Sequence, residues 1–99
     1  MHVTVTRVST GEQPISTATI VAEEMYRWFE GIEGFKGFLM LSRLGTTLSM
    51  TFWEDSAVAE RSRVSREEFR ERIIAVAGVE IEEVADYEVM FGRLPALEE

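Results

Sequence analysis

Residues 34–60, GFKGFLMLSRLGTTLSMTFWEDSAVAE, constrain the fold of this chain more than any other stretch. Two runs of strand-forming residues, 35–43 and 46–53, flank Leu44-Gly45, and the second ends at Trp53. Glu54-Asp55-Ser56 follows at once, two acids and a hydroxyl that suit a helix N-terminus. A hairpin that runs straight into a helix fixes half of a small α+β fold. In the first strand Phe38 and Met40 share one face while Leu39 and Leu41 share the other. In the second, Leu48, Met50 and Phe52 lie opposite Thr47, Ser49, Thr51 and Trp53. Apolar residues on both faces of the first strand call for cover on both sides. The helices of a 99-residue chain can cover one side. The second cover is most simply a second copy of the chain, so a homodimer is expected.

The flanking elements complete the pattern. Residues 2–8, HVTVTRV, read as a strand with Val3, Val5 and Arg7 on one face and Thr4, Thr6 and Val8 on the other. Pro14 suits the first turn of a helix. From Ile15 to Glu30, Ala18, Val21, Ala22, Met25 and Phe29 recur at helical spacing, and Gly31 is placed to cap the end. After the hairpin, Asp55 or Ser56 can cap a helix from Ala57. Ser65 with Glu68 forms a second cap signal, so a break is expected near Val64. The second half of that helix buries Phe69, Ile73, Val76 and Ala77, and Gly78 ends it. Residues 79–91 alternate at their ends but lose phase in the middle, which predicts a bulge near Glu82–Ala85. The order β-α-β-β-α-β is the ferredoxin-like split βαβ arrangement of one α+β domain over residues 1–93. Residues 94–99, broken by Pro95, are a C-terminal tail that frays or lies across a neighbour.

Composition narrows the function. Eighteen acidic against ten basic residues give a net charge of −8, which repels phosphate backbones and anionic lipid surfaces. Nucleic acid and membrane are therefore not expected partners. There is no Cys, hence no disulfide, no thiolate chemistry and none of the usual ligands of structural zinc. No apolar run approaches the ~20 residues that span a bilayer, and no signal-peptide pattern opens the chain, so a cytoplasmic location is expected. Arg61, Arg63, Arg66, Arg70 and Arg72 interleave with Glu60, Glu67, Glu68 and Glu71, which reads as a solvated, ion-paired helix face.

The hairpin also carries a resemblance. Gly34-Phe35-x-Gly37-Phe38, a strand, a glycine turn and then Thr51-Phe52-Trp53-Glu54-Asp55 before a helix is similar to the antibiotic biosynthesis monooxygenase family. There a Pro-Gly-Phe-x-Gly approach precedes the strand, and Trp-Glu-Ser or a close variant follows the next. The resemblance extends over about Val3 to Phe91 in element order, with its motif content within residues 34–60. It implies a dimeric α/β barrel, two ferredoxin-like sheets packed face to face with helices outside, and a pocket between sheet and helices in each subunit. It includes oxygenases of polycyclic phenols that use no bound cofactor, and haem-degrading enzymes.

On that resemblance Trp53 is the leading candidate. Its indole N–H can hold a phenol or carbonyl oxygen and its face can stack on a ring, although a large aromatic can equally finish a core at a strand end. Thr4, Thr6, Ser49 and Thr51 can form polar walls on one sheet face, with Phe69 among the neighbouring aromatics, and Arg72 can stabilise an anion if it turns inward. Strand threonines are also ordinary β-formers. Tyr26 and Tyr87 are further donors that fit equally well as amphipathic core residues. Haem-degrading relatives place a ligating His on the second helix and an Asn on the first strand. Residues 57–77 hold no His, the chain has no Asn, and the single His, His2, reads as a solvated terminal residue. Glu54 and Asp55 read as helix capping, and no spacing points to a metal. Met25, Met40, Met50 and Met90 read as core filler. The expected function is oxidation of a small aromatic or quinol-like metabolite without a bound cofactor. The alternative is a non-catalytic module of the same fold that binds a small apolar or aromatic ligand, or serves as an interaction module that scaffolds a partner.

Overall fold

The computed structural model describes residues 1–10 and 15–95. The elements are β1 (His2–Ser9), α1 (Ile15–Phe29), β2 (Phe35–Arg43), β3 (Thr46–Trp53), α2 (Ser56–Arg61), α3 (Arg63–Ala77) and β4 (Glu80–Glu88). The four strands form one antiparallel sheet in the order β2-β3-β1-β4, the ferredoxin-like arrangement. The readings made for Pro14, for the last residues of the tail, and for the side chains of Ala18, Val76 and Ala77 lie outside the described residues.

The hairpin forms as the alternation dictates, with Arg43 opposite Thr46 across Leu44-Gly45. Thr10 N–H donates to the Gly45 carbonyl at 3.1 Å and ties the end of β1 to this turn. Where β2 begins, Gly34 has φ +91°, and a Cβ built on it would lie 2.6 Å from Val58 Cγ1. Only glycine serves here, for both its backbone angle and the close approach of α2. Glu54 N–H donates to the Gly34 carbonyl at 2.8 Å, closing the corner between the hairpin and α2.

Asp55 caps α2 through its Oδ1, which accepts from Val58 N–H at 2.9 Å. The expected break falls at Ser62, whose hydroxyl donates back to Val58 O at 2.8 Å and Ala59 O at 3.2 Å. The capping box at Ser65 and Glu68 does not form. Because α3 starts at Arg63, Ser65 is already inside the helix, and its Oγ accepts from Trp28 Nε1 at 2.8 Å, joining α1 to α3. Gly78, at φ 66°, ends α3 as expected. The bulge in β4 is also found: Arg7 faces Glu83 and Val8 faces Ile81, so Glu82 is the extra residue. The ladder stops at Glu88, short of Phe91. One bond, Val89 N–H to Met1 O at 2.9 Å, continues beyond it, and Met90 is exposed rather than core filler.

The two faces of the sheet differ in an unusual direction. Trp53, Thr51, Ser49 and Thr47 share a face with His2, Thr4 and Thr6, and this side lies beneath the helices. Thr4, Thr47, Ser49 and Thr51 are buried there. Val3, Val5, Leu39, Leu48, Met50 and Phe52 occupy the outer face, which no helix among the described residues covers, although Val3 itself is buried. A two-layer α+β domain ordinarily packs its apolar sheet face on its own helices. Here the apolar core beneath the helices is concentrated at one end, where Phe29, Trp53, Val58, Ala59 and Phe69 cluster with Trp28 and Phe35 around them. Among the described residues no helix is long and apolar enough to cross a membrane.

Candidate functional site

The site grows from the helical phase of α3. Ser62, Arg66, Phe69 and Ile73 recur at four- and three-residue steps, so all four face the sheet. Ser62 and Phe69 are buried and Ile73 packs against the core. Arg66 is carried inward with them and is only 9% exposed. Its guanidinium lies over the Trp53 ring, with Cζ 5.6 Å from the centroid. Its NH2 donates to Ala59 O at 2.7 Å and its NH1 to Thr4 Oγ1 at 3.4 Å, while Nε is buried without a hydrogen-bond partner. Among the described residues Arg66 makes no ion pair. Burial lowers its pKa from the ordinary value; Asp86 opposes this, and repulsion from Arg70 adds to it.

Asp86 reaches Arg66 through a hydroxyl. Thr4 Oγ1 donates to Asp86 Oδ1 at 2.8 Å, and His2 Nε2 lies 3.1 Å from the same oxygen. Register explains the meeting: His2 pairs with Glu88 and Thr4 with Asp86 across β1 and β4, so four side chains crowd one corner of the sheet. The His2 side chain is only 12% exposed, against the expectation of a solvated terminal residue, and its Nδ1 lies 3.7 Å from Glu88 Oε1. Burial alone would raise the Asp86 pKa. The hydrogen bonds from Thr4 and His2, with the charges of His2 and Arg66, outweigh it and hold this carboxyl below its usual value.

A lowered carboxyl pKa in the folded state means that the unfolded chain takes up the proton first. The stability contributed by Asp86 is therefore fully present above the ordinary carboxylate pKa of about 4 and is lost as pH falls through the folded value. Asp86→Asn should flatten the acid limb of a plot of urea midpoint against pH between about pH 5 and 2. An acid limb identical to that of the parent chain would remove Asp86 from this role.

An open cleft of about 390 Å³ meets this network from outside, between α2–α3 and the β1–β4 edge. Arg66, His2 and Asp86 line it, together with Glu60, Arg63, Glu67 and Arg70. Arg63 is paired with Glu60 at 2.9 Å.

The residues singled out from sequence divide between this corner and the core. Trp53 is 0% exposed, packed edge-on against Phe29 and Phe35, and its Nε1–H donates to Thr51 Oγ1 at 3.1 Å. Its donor is thus engaged within the protein. Thr51 and Ser49 are buried on β3 and Thr6 is half-buried on β1, all on the helix side of the sheet. Thr4 joins Arg66 to Asp86. Phe69 is a core residue against Phe29 and Trp28. Arg72 is exposed, with Cζ 5.8 Å from the centroid of the Trp28 ring. Tyr26 and Tyr87 are exposed. Arg66 and His2 were not among the sequence candidates; the inward phase of Arg66 could have been found by extending the Ile73-Phe69 stripe back by one turn. Among the described residues no cluster of His, Asp or Glu could hold a metal ion.

No protein-family model matches the chain, and a search of curated proteins finds no match. Solved structures do match. A variant of SnoaB, a cofactor-independent oxygenase from Streptomyces nogalater, superposes with TM-score 0.68 at 15% identity, over 96% of this chain and 98% of that one. A candidate antibiotic biosynthesis monooxygenase from Deinococcus radiodurans superposes with TM-score 0.70 at 12% identity, over the full length of both. At such identities the likeness establishes the fold: the chain has the ferredoxin-like fold of the antibiotic biosynthesis monooxygenases, as the hairpin motif implied.

Proposed function

We propose that this chain is a homodimeric monooxygenase that acts on a small aromatic or quinol-like metabolite without a bound cofactor. The observation that carries the reading is Arg66, a buried guanidinium that makes no ion pair among the described residues, set against Trp53 and Thr4 and reaching the cleft. A cation so placed stabilises negative charge on a bound oxygen far more strongly than one in water. A phenol that loses its proton there becomes an electron-rich phenolate. The phenolate reduces dioxygen and forms a C–O bond at the ring carbon para to its oxygen. The O–O bond then breaks: one oxygen stays as the quinone carbonyl, and the other leaves as water with the phenol proton and the displaced ring proton. Trp53 supports this chemistry as a positioning residue, since its ring carries the guanidinium and its N–H holds Thr51. The fold shared with SnoaB supports the reading as an analogy.

Oxygen uptake with a panel of phenols and hydroquinones tests it. Arg66→Met keeps the apolar stem and removes the charge, a change that buried positions often tolerate. Uptake should fall by about 100-fold or more, with Arg66→Lys recovering part of it. Equal rates in the parent and Arg66→Met would overturn the reading. The rival is a non-catalytic module that binds a small ligand or a protein partner, and the complete burial of Trp53 within the aromatic cluster favours its interaction form. Binding without oxygen uptake across the panel would decide for it.

A further inference from the structure

We infer that the cleft between α2–α3 and β4 is a recognition site for a small monocarboxylate that also carries a hydroxyl or ammonium donor, with Arg66 and Arg70 holding the carboxylate. One turn separates the two arginines on α3, and both line the cleft. Neither makes an ion pair among the described residues, whereas Arg63 on the same wall is already engaged by Glu60. Arg70 and Arg66 repel one another, which an anion between them would relieve. A planar carboxylate matches the guanidinium fork, and charge-assisted bonds of this kind are among the stronger polar contacts.

The other wall limits the ligand. Asp86 and Glu67 face the same space. Thr4 donates to Asp86 Oδ1 and His2 lies beside that same oxygen, while Oδ2 has no hydrogen bond among the described residues. Glu67 makes no ion pair among the described residues. Two carboxylates beside two arginines disfavour a dianion such as a phosphate monoester, and favour a ligand that is negative at one end and donates at the other. The net charge of −8 acts in the same direction, since it weakens long-range attraction of polyanions. The volume of about 390 Å³ accommodates a single-ring acid.

The inference concerns binding and stands whether or not turnover occurs. Calorimetric titration with 4-hydroxybenzoate is the probe, with benzoate, phenol and inorganic phosphate as comparisons. Saturable binding is expected for 4-hydroxybenzoate, weaker for benzoate and weaker still for phenol and phosphate. Arg70→Gln, a partly exposed position whose loss leaves the core intact, should weaken 4-hydroxybenzoate by about tenfold, equivalent to about 1.4 kcal/mol. Glu67→Gln should lessen the preference over benzoate. Absence of saturable binding, or an affinity unchanged in Arg70→Gln, would overturn the inference. Phosphate binding tighter than the carboxylate would overturn it also, in favour of a simple anion site. Carboxylate binding with no oxygen uptake would leave this site standing and sink the oxygenase, while uptake on neutral phenols with no carboxylate preference would do the reverse.

Discussion

Trp53→Ala is expected to lower stability by about 3–5 kcal/mol, enough to unfold much of the population of an average small domain at 37 °C. The residue is 0% exposed and sits at the junction of every layer. Its ring meets Phe29 of α1 and Phe35 of β2 edge-on, and Arg66 of α3 from its face. Alanine would leave a large cavity, withdraw the π face beneath a buried cation and strip Thr51 Oγ1 of its donor. Each loss acts on a different neighbour, so collapse of one element cannot heal them all. For a chain of this length each 1 kcal/mol corresponds to about 4–8 °C in Tm, so the midpoint should fall by roughly 12–40 °C. Trp53→Phe retains most of the packing and removes the hydrogen bond, so about 1–2 kcal/mol is expected for it. Urea unfolding followed by circular dichroism reads both. A loss below about 1 kcal/mol for Trp53→Ala would show that the aromatic cluster is not the keystone of the fold.

What could be read in advance, and what could not, follows from how local each signal is. The hairpin was legible because period-two alternation, a glycine turn and an Asp cap all act within a few residues of one another. The bulge at Glu82 was legible for the same reason: Val84 falls out of the phase set by Val79 and Ile81. Ser65 misled because the Ser-x-x-Glu pattern marks a helix start only if the chain is not already helical, and α3 begins two residues earlier. Arg66 was hidden by its neighbours. In a run of alternating charges the solvated reading suits most positions, yet a helix must still turn one face inward, and here that face contains Phe69, Ile73 and Arg66. His2 was hidden by distance. Its partner Asp86 lies 84 residues away, and only the register of β1 against β4 brings them together. The helix side of the sheet was readable as an alternation of Thr and Ser, but alternation alone does not say which face the helices choose.

That choice of face makes the strongest case for self-association, and Met50→Glu is expected to destroy it. The helices lie over Thr4, Ser49 and Thr51, so Val5, Leu39, Leu48, Met50 and Phe52 point away from the cover that the described helices provide. A contiguous apolar face on a four-stranded sheet is what a monomer avoids and what an interface requires. The charged pair on this face, Arg7 with Glu83, sits opposite one another on β1 and β4 and is neutralised at 3.4 Å, so little electrostatic repulsion opposes the approach of a second copy. Closure by a two-fold axis would bury the same residues of both sheets against each other. Met50 lies on β3, paired with Val5 and Leu39, near the middle of that face. A carboxylate there would be stripped of water with no cation opposite, at a cost of several kcal/mol. Multi-angle light scattering at micromolar concentration should give a dimer for the parent chain and a monomer for Met50→Glu, with a Kd raised by about 100-fold or more. Met50→Leu, similar in volume and still apolar, should remain a dimer. A parent chain that is monomeric at that concentration would remove the homodimer.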